Sequence, residues 1–134
     1  PKDICVFAEV QDGRLAEVSL ELLGKAVELA AELGGQVGAF LIGDSVESLA
    51  QTLFEHGCDE VHLAERPELA HYVTLPYADM LTRMIRQAEP AIVLFGATTT
   101  GRDLAPRVAS ALQVGLTADC TDLQIGDHRD AARG

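Results

Sequence analysis

Short apolar segments alternate along this chain with longer stretches in which apolar residues recur every three or four positions. The short segments predict strands at residues 4–10, 35–43, 60–64 and 91–95, with a weaker strand at 122–125. The longer stretches predict helices between these strands. Strands joined by such helices require right-handed crossovers, so the pattern predicts an α/β fold, a three-layer sandwich with a mainly parallel, doubly wound sheet.

Two of the predicted helices have recognisable ends. The clearest helix runs through Leu15–Leu33 and should end at Gly34 in the left-handed conformation. The helix after the second strand should begin at a capping side chain, Asp44 or Ser45, and end at Gly57.

The carboxyl edge of the sheet is the place to look for a binding site. In doubly wound sheets ligands collect at this edge, where the strand order reverses. We expect the first and fourth strands to flank that point. The loops at 11–14, 43–45 and 96–102 should then converge on one rim.

The loop at 96–101 holds only glycine, alanine and threonine between a buried strand and the helix opened by Arg102 and Asp103. Its backbone N–H groups at a helix start could hold an anion or a nucleotide phosphate. Alternatively the small residues merely allow tight packing. This second interpretation is favoured in general, because parallel α/β proteins need small residues at such turns whether or not a ligand binds there. The candidate anion site comprises Gly96, Thr98, Thr99, Thr100, Gly101 and Arg102.

Composition limits the classes of function. The chain has 134 residues, 48% of them hydrophobic, and a formal net charge of −11. This charge repels phosphate backbones and anionic lipid, which argues against nucleic acid or membrane insertion as the main interaction. We expect a cytoplasmic protein, or a mitochondrial matrix protein if a presequence was removed.

Motifs of enzymes and metal sites are lacking in the sequence. It contains no phosphate-loop, dinucleotide or nucleophile-elbow motif, so we expect no catalytic residue. A metal site from His56, Cys58 and His62 is disfavoured because a turn should aim the donors apart, and we predict no metal. The odd count of cysteines, Cys5, Cys58 and Cys120, predicts free thiols.

Two linked motifs resemble those of a known family. The segments 97–109 and 115–123 are similar to the amino-terminal domain of the electron transfer flavoprotein alpha subunit. Segments 6–9, 57–61 and 69–77 fit the same family, so the resemblance covers nearly the whole chain.

The resemblance implies a Rossmann-like fold, similar to that of the adenine nucleotide alpha hydrolases, and a role as scaffold. In this family FAD is held by a carboxy-terminal domain whose residues this chain lacks, so we expect no cofactor here. The implied partners are the beta subunit and, through the heterodimer, flavin dehydrogenases whose electrons pass to a redox acceptor.

The resemblance also suggests a subunit interface and a domain boundary. We expect residues 1–125 to form the domain, and the polar stretch 126–134 to be a tail at the truncation point before the FAD domain. The expected interface residues lie around the 96–101 loop and a later turn: Thr98, Thr99, Gly101, Arg102, Asp103, Asp119, Cys120 and Asp122.

Overall fold

The computed structural model describes residues 3–113 and 121–124 of the chain. Its central sheet has five strands: β1 (Ile4–Ala8), β4 (Val37–Gly43), β5 (Glu60–Glu65), β6 (Ile92–Phe95) and β7 (Thr121–Gln124). They lie in the order β5-β4-β1-β6-β7, with the first four parallel and β7 antiparallel to β6. The α/β fold and the mainly parallel sheet predicted from the sequence are confirmed.

Within the described residues, four helices cover the two faces of the sheet: α1 (Glu17–Leu33), α2 (Ala50–Glu55), α3 (Thr74–Ala88) and α4 (Thr99–Leu112). Helices α3 and α4 pack with the aromatic side chains of the sheet, whereas α1 and α2 pack on the other face. Two short 3-10 turns, Glu47–Leu49 and Pro67–Leu69, precede α2 and α3. The chain is therefore layered as helices, sheet and helices.

The strand order reverses beside β1, as the sequence predicts. Strand β1 is paired with β4 on one side and with β6 on the other. Helix α1 leads from β1 to β4, so the chain winds outward from this central strand in both directions. The expected switch point between the first and fourth parallel strands is confirmed.

The first strand is shorter than predicted because a hairpin follows it. Strands β2 (Val10–Gln11) and β3 (Arg14–Leu15) pair antiparallel around a two-residue turn. Asp12 and Gly13 form that turn with φ values of 51° and 76°. Asp-Gly is a favoured pair for a turn that needs two positive φ angles. Leu15 therefore belongs to the hairpin, and α1 begins two residues later.

Helix ends are partly as predicted. Gly34 ends α1 in the left-handed conformation, with φ 77°. Neither Asp44 nor Ser45 caps the following turn, which corrects the prediction. Instead the backbone N–H groups of Val46 and Glu47 donate to Glu65 Oε2, at 2.8 and 2.9 Å. A carboxylate distant in sequence thus supplies the cap.

Candidate functional site

The short loop after β6 together with the first turn of α4, residues 96–103, is called here the threonine corner. Thr98 is the N-cap of α4, and its hydroxyl accepts a hydrogen bond from the backbone N–H of Gly101 at 3.0 Å. The same hydroxyl donates to Glu9 Oε2 at 2.6 Å. Thr98 therefore joins the start of α4 to the residue that follows β1.

Two glycines let the corner close on itself. A Cβ on Gly101 would overlap the carbonyl oxygen of Gly96. A Cβ on Gly96 would lie 2.8 Å from Cγ2 of Val18 and 2.9 Å from Glu9 Oε2. Contacts this short are essentially never seen for real Cβ atoms. The two glycines are therefore required for the close packing of the corner.

Glu9 is held by groups on both sides of it. Its backbone N–H donates to Ser19 Oγ at 2.8 Å, and the Ser19 hydroxyl donates back to the Glu9 carbonyl at 3.0 Å. Glu9 and Ser19 are 4% and 0% exposed. Buried polar groups need such partners, because an unpaired one costs about 1–3 kcal/mol. The network ties β1, α1 and α4 together.

Neither Glu9 nor Ser19 is among the site residues predicted from the sequence, although the sequence around each carries a signal. Glu9 is a charged residue directly after a wholly apolar strand, the position at which parallel sheets place functional side chains. Ser19 shares the helical spacing of Leu23, Ala26 and Ala30, which are the buried residues of α1. A serine in an apolar stripe predicts a buried hydrogen bond.

A cleft of about 400 Å³ opens beside the corner at the carboxyl edge of the sheet. We call it the edge cleft. It is lined by residues from all three predicted loops, among them Gln11, Asp12, Gly43, Asp44 and Thr100. The predicted convergence of these loops on one rim is therefore confirmed.

The charge of the edge cleft is negative. Glu9, Asp12 and Asp44 line it, and no lysine or arginine of the described residues does. In addition, the Gly101 N–H is already bonded to Thr98. A phosphate at this edge would meet carboxylates and few free donors, so the geometry gives the anion or nucleotide interpretation no support.

The Asp103 carboxylate is hydrogen-bonded to other residues of this domain. Its Oδ2 accepts hydrogen bonds from the Tyr72 hydroxyl at 2.6 Å and the Thr74 hydroxyl at 2.7 Å, and Arg107 Nε lies 3.5 Å from Oδ1. The hydrogen bonds from Tyr72 and Thr74 hold the pKa of Asp103 below its ordinary value. Burial, with the carboxylate beside it, raises the pKa of Tyr72 to about 12. Asp103 thereby fixes the start of α3 against α4.

The other predicted interface residues differ in accessibility. Thr99 and Arg102 are exposed, and within residues 3–113 the guanidinium of Arg102 forms no hydrogen bond or ion pair. Asp119 and Cys120 lie outside the described residues. The backbone at Asp122 pairs with β6 opposite Leu94. The structure thus leaves two accessible side chains of this set at the corner.

The two histidines and the one cysteine considered as metal ligands have other neighbours. His56 Nδ1 lies 2.8 Å from the Thr52 carbonyl oxygen, and His62 Nε2 lies 3.3 Å from Glu60 Oε1. The Cys58 thiol donates to the Glu60 carbonyl at 3.0 Å. Among the residues described, no group of three or more His, Cys, Asp or Glu side chains could hold a metal ion.

The two described cysteines are buried free thiols, as predicted. Burial raises the pKa of Cys5 to about 12 and that of Cys58 to about 11. Cys120 lies outside the described part of the chain.

No helix in the described ranges is both long and apolar enough to span a membrane.

Comparison with known proteins identifies the family. A family model described as the electron transfer flavoprotein domain matches residues 4–133. The chain is 48% identical over 128 residues to an electron transfer flavoprotein subunit alpha of Megasphaera elsdenii, covering 96% of this chain and 38% of that relative. It is 46% identical over 127 residues to the subunit alpha of Thermoanaerobacterium thermosaccharolyticum, covering 95% and 38%.

A third relative has a different name. The LctC subunit of a lactate dehydrogenase (NAD(+),ferredoxin) of Acetobacterium woodii is 43% identical over 129 residues, covering 96% of this chain and 31% of that relative. The chain thus spans about 38% of the length of the two alpha subunits. These relatives are bacterial, so the mitochondrial location receives no support. By the family model and by these identities, the chain belongs to the electron transfer flavoprotein domain family.

Proposed function

We propose that this chain is the amino-terminal domain of an electron transfer flavoprotein alpha subunit, serving as scaffold and as subunit-interaction domain. The whole protein would pair with a beta subunit and carry electrons from flavin dehydrogenases to a redox acceptor. Its FAD would be held by residues outside this chain. The chain itself would contribute no catalytic residue, and we expect it in the cytoplasm.

One observation carries the proposal: 46% and 48% identity to alpha subunits over 95% and 96% of the chain. Identity this high over the whole domain is strong support for a shared role. A further relative is called the electron transfer subunit beta of an acryloyl-CoA reductase, at 42% identity over 124 residues. Relatives with different names therefore share electron transfer as the common theme.

The chemistry of the edge cleft supports a site for FAD elsewhere. The pyrophosphate of FAD carries negative charge and is normally bound by free backbone N–H groups at a glycine-rich turn. Here three acidic residues, Glu9, Asp12 and Asp44, line the cleft. These residues do not fit a pyrophosphate. The family's flavin is thus expected to lie on another part of the whole protein.

The threonine corner is the surface that we assign to subunit contact within this proposal. Thr99 and Arg102 would touch the partner directly, while Thr98, Gly101 and Asp103 would position them from within. Asp119, Cys120 and Asp122 remain part of the proposed interface. The side chain of Arg102 is exposed and lacks a partner within residues 3–113. An exposed, unpaired charge of this kind is available for a contact with another subunit.

Size-exclusion chromatography tests the proposal, with the beta subunit of the Megasphaera elsdenii electron transfer flavoprotein as the probe. We expect a one-to-one complex and no flavin absorbance from the purified chain alone. Arg102→Glu should weaken the complex while leaving the melting temperature unchanged, and Arg66→Glu, at an exposed arginine after the outermost strand β5, serves as control. Separate elution of the two wild-type proteins would contradict the proposal.

A further inference from the structure

The outer surface between α3 and α4 differs from the rest of the domain in shape and charge. An open groove of about 680 Å³ runs between the two helices. We call it the α3–α4 groove. Its lining includes Leu75, Ala78, Asp79 and Arg86 on α3, and Pro106, Arg107 and Ala111 on α4, with Asp79 paired to Arg83 at 3.1 Å.

Charge is segregated toward this surface. Helices α3 and α4 together carry four arginines and two aspartates: Arg83, Arg86, Arg102, Arg107, Asp79 and Asp103. The remaining residues between 3 and 113 carry three basic and fifteen acidic side chains. An acidic partner would be repelled by most of the domain and attracted to this face. The charge pattern therefore indicates that a partner contacts this face and that the contacting segment of the partner is acidic.

The groove also exposes apolar surface. Leu75, which lines the groove, is 69% exposed, more than any other large apolar side chain among the described residues. Thr82, which is 5% exposed, lines the groove, and its hydroxyl has no hydrogen-bond partner in the described part of the chain. A buried hydroxyl without a hydrogen-bond partner is rare in native proteins. An exposed leucine in a groove that also presents arginines fits the composition of a protein interface.

The two walls of the groove are held at both ends. At one end, the Tyr72 and Thr74 hydroxyls donate to Asp103 Oδ2 on α4. At the other end, Arg86 Nη2 on α3 donates to the carbonyl of Ala111 at 3.1 Å. A groove fixed in this way needs little reorganisation when a partner binds, which favours affinity.

We propose that the α3–α4 groove is a docking surface for an acidic segment of the partner subunit, in which an apolar side chain packs on Leu75 and carboxylates face Arg107 and Arg86. The inference rests on the proposed function, because it names the face and the chemistry of the subunit contact. It extends that contact from the threonine corner along α4.

Calorimetric titration with the Megasphaera elsdenii beta subunit tests the inference. Leu75→Ser should weaken binding about tenfold, the effect typical of an interface anchor. Arg107→Gln should weaken binding more at low than at high salt, because screening reduces the contribution of exposed charges. Leu33→Ser, at the end of α1 in the opposite helical layer, and Arg14→Glu are matched controls that should leave affinity unchanged.

The outcomes separate the two proposals. Unchanged affinity in both groove variants, with weaker binding by Arg102→Glu, would overturn the groove and leave the proposed function standing. No binding by the wild-type chain would overturn the proposed function and the groove together. Self-association of the chain that Leu75→Ser abolishes would identify a second copy as the occupant and refute the acidic subunit segment. Weaker binding in the groove variants alone, at unchanged melting temperature, would support the inference.

Discussion

Replacing Gly101 with alanine tests the packing of the threonine corner. Alanine is normally the better helix former, and in an exposed helix interior this exchange stabilises a protein by about 0.5–1 kcal/mol. At Gly101 the new Cβ would overlap the Gly96 carbonyl oxygen and lie 3.0 Å from its carbon. Backbone atoms cannot turn aside as a flexible side chain can, so α4 must shift. Overpacking of this kind costs about 1–3 kcal/mol or more.

We therefore expect Gly101→Ala to lower the free energy of unfolding by about 2 kcal/mol or more, because the strain exceeds the gain in helix propensity. The matched control is Gly24→Ala in α1, where a Cβ would meet nothing within 4 Å. That variant should gain about 0.5–1 kcal/mol. Urea unfolding followed by circular dichroism measures both. Equal stability of Gly101→Ala and wild type would refute the tight corner.

Three further predictions concern hydrogen bonds and buried groups. Thr98→Val should lower the free energy of unfolding by about 1–3 kcal/mol, because it removes a helix cap and a bond to a buried carboxylate; Thr98→Ser should restore most of it, and equal loss in both would count against the bonds. Tyr72→Phe should raise the pKa of Asp103 toward its ordinary value, which a carboxyl NMR titration measures. Since the depressed pKa stabilises the fold above about pH 4 and this stability is lost as pH falls, the difference in unfolding free energy between wild type and Tyr72→Phe should shrink below about pH 4. Cys5, buried and with a pKa of about 12, should react with a disulfide reagent at pH 8 at least about 100-fold more slowly in the folded state than in urea, in a variant that keeps it as the only cysteine.

The sequence was sufficient to predict the order of elements and the edge that carries the cleft. Apolar segments of strand length that alternate with helical stretches are compatible with few sheet topologies. The rule that crossovers are right-handed excludes most of the remaining topologies. The hairpin after β1 was missed, although Asp12-Gly13 is a recognised signal for it. Residues 11–14 were predicted only as a loop and Val10 as the end of the first strand, so the pairing of Val10 with Leu15 was overlooked.

Contacts between residues distant in sequence could not be predicted. The Glu9–Thr98 hydrogen bond joins residues 89 positions apart. The Glu65 carboxylate caps the turn after β4 and accepts from amides 18 and 19 positions away in the sequence. Asp103 was predicted as an interface residue because the family resemblance suggested an interface around the 96–101 loop. In the structure its carboxylate binds Tyr72 and Thr74, a contact that depends on how α3 meets α4.

A calorimetric titration of the wild-type chain, first with the beta subunit and then with AMP, ADP and ATP, tests the central claim that this domain binds a protein subunit and no nucleotide. We predict saturable one-to-one heat with the beta subunit at micromolar or lower dissociation constant, and no heat of binding from the nucleotides. Micromolar nucleotide binding without any heat from the beta subunit would contradict the account.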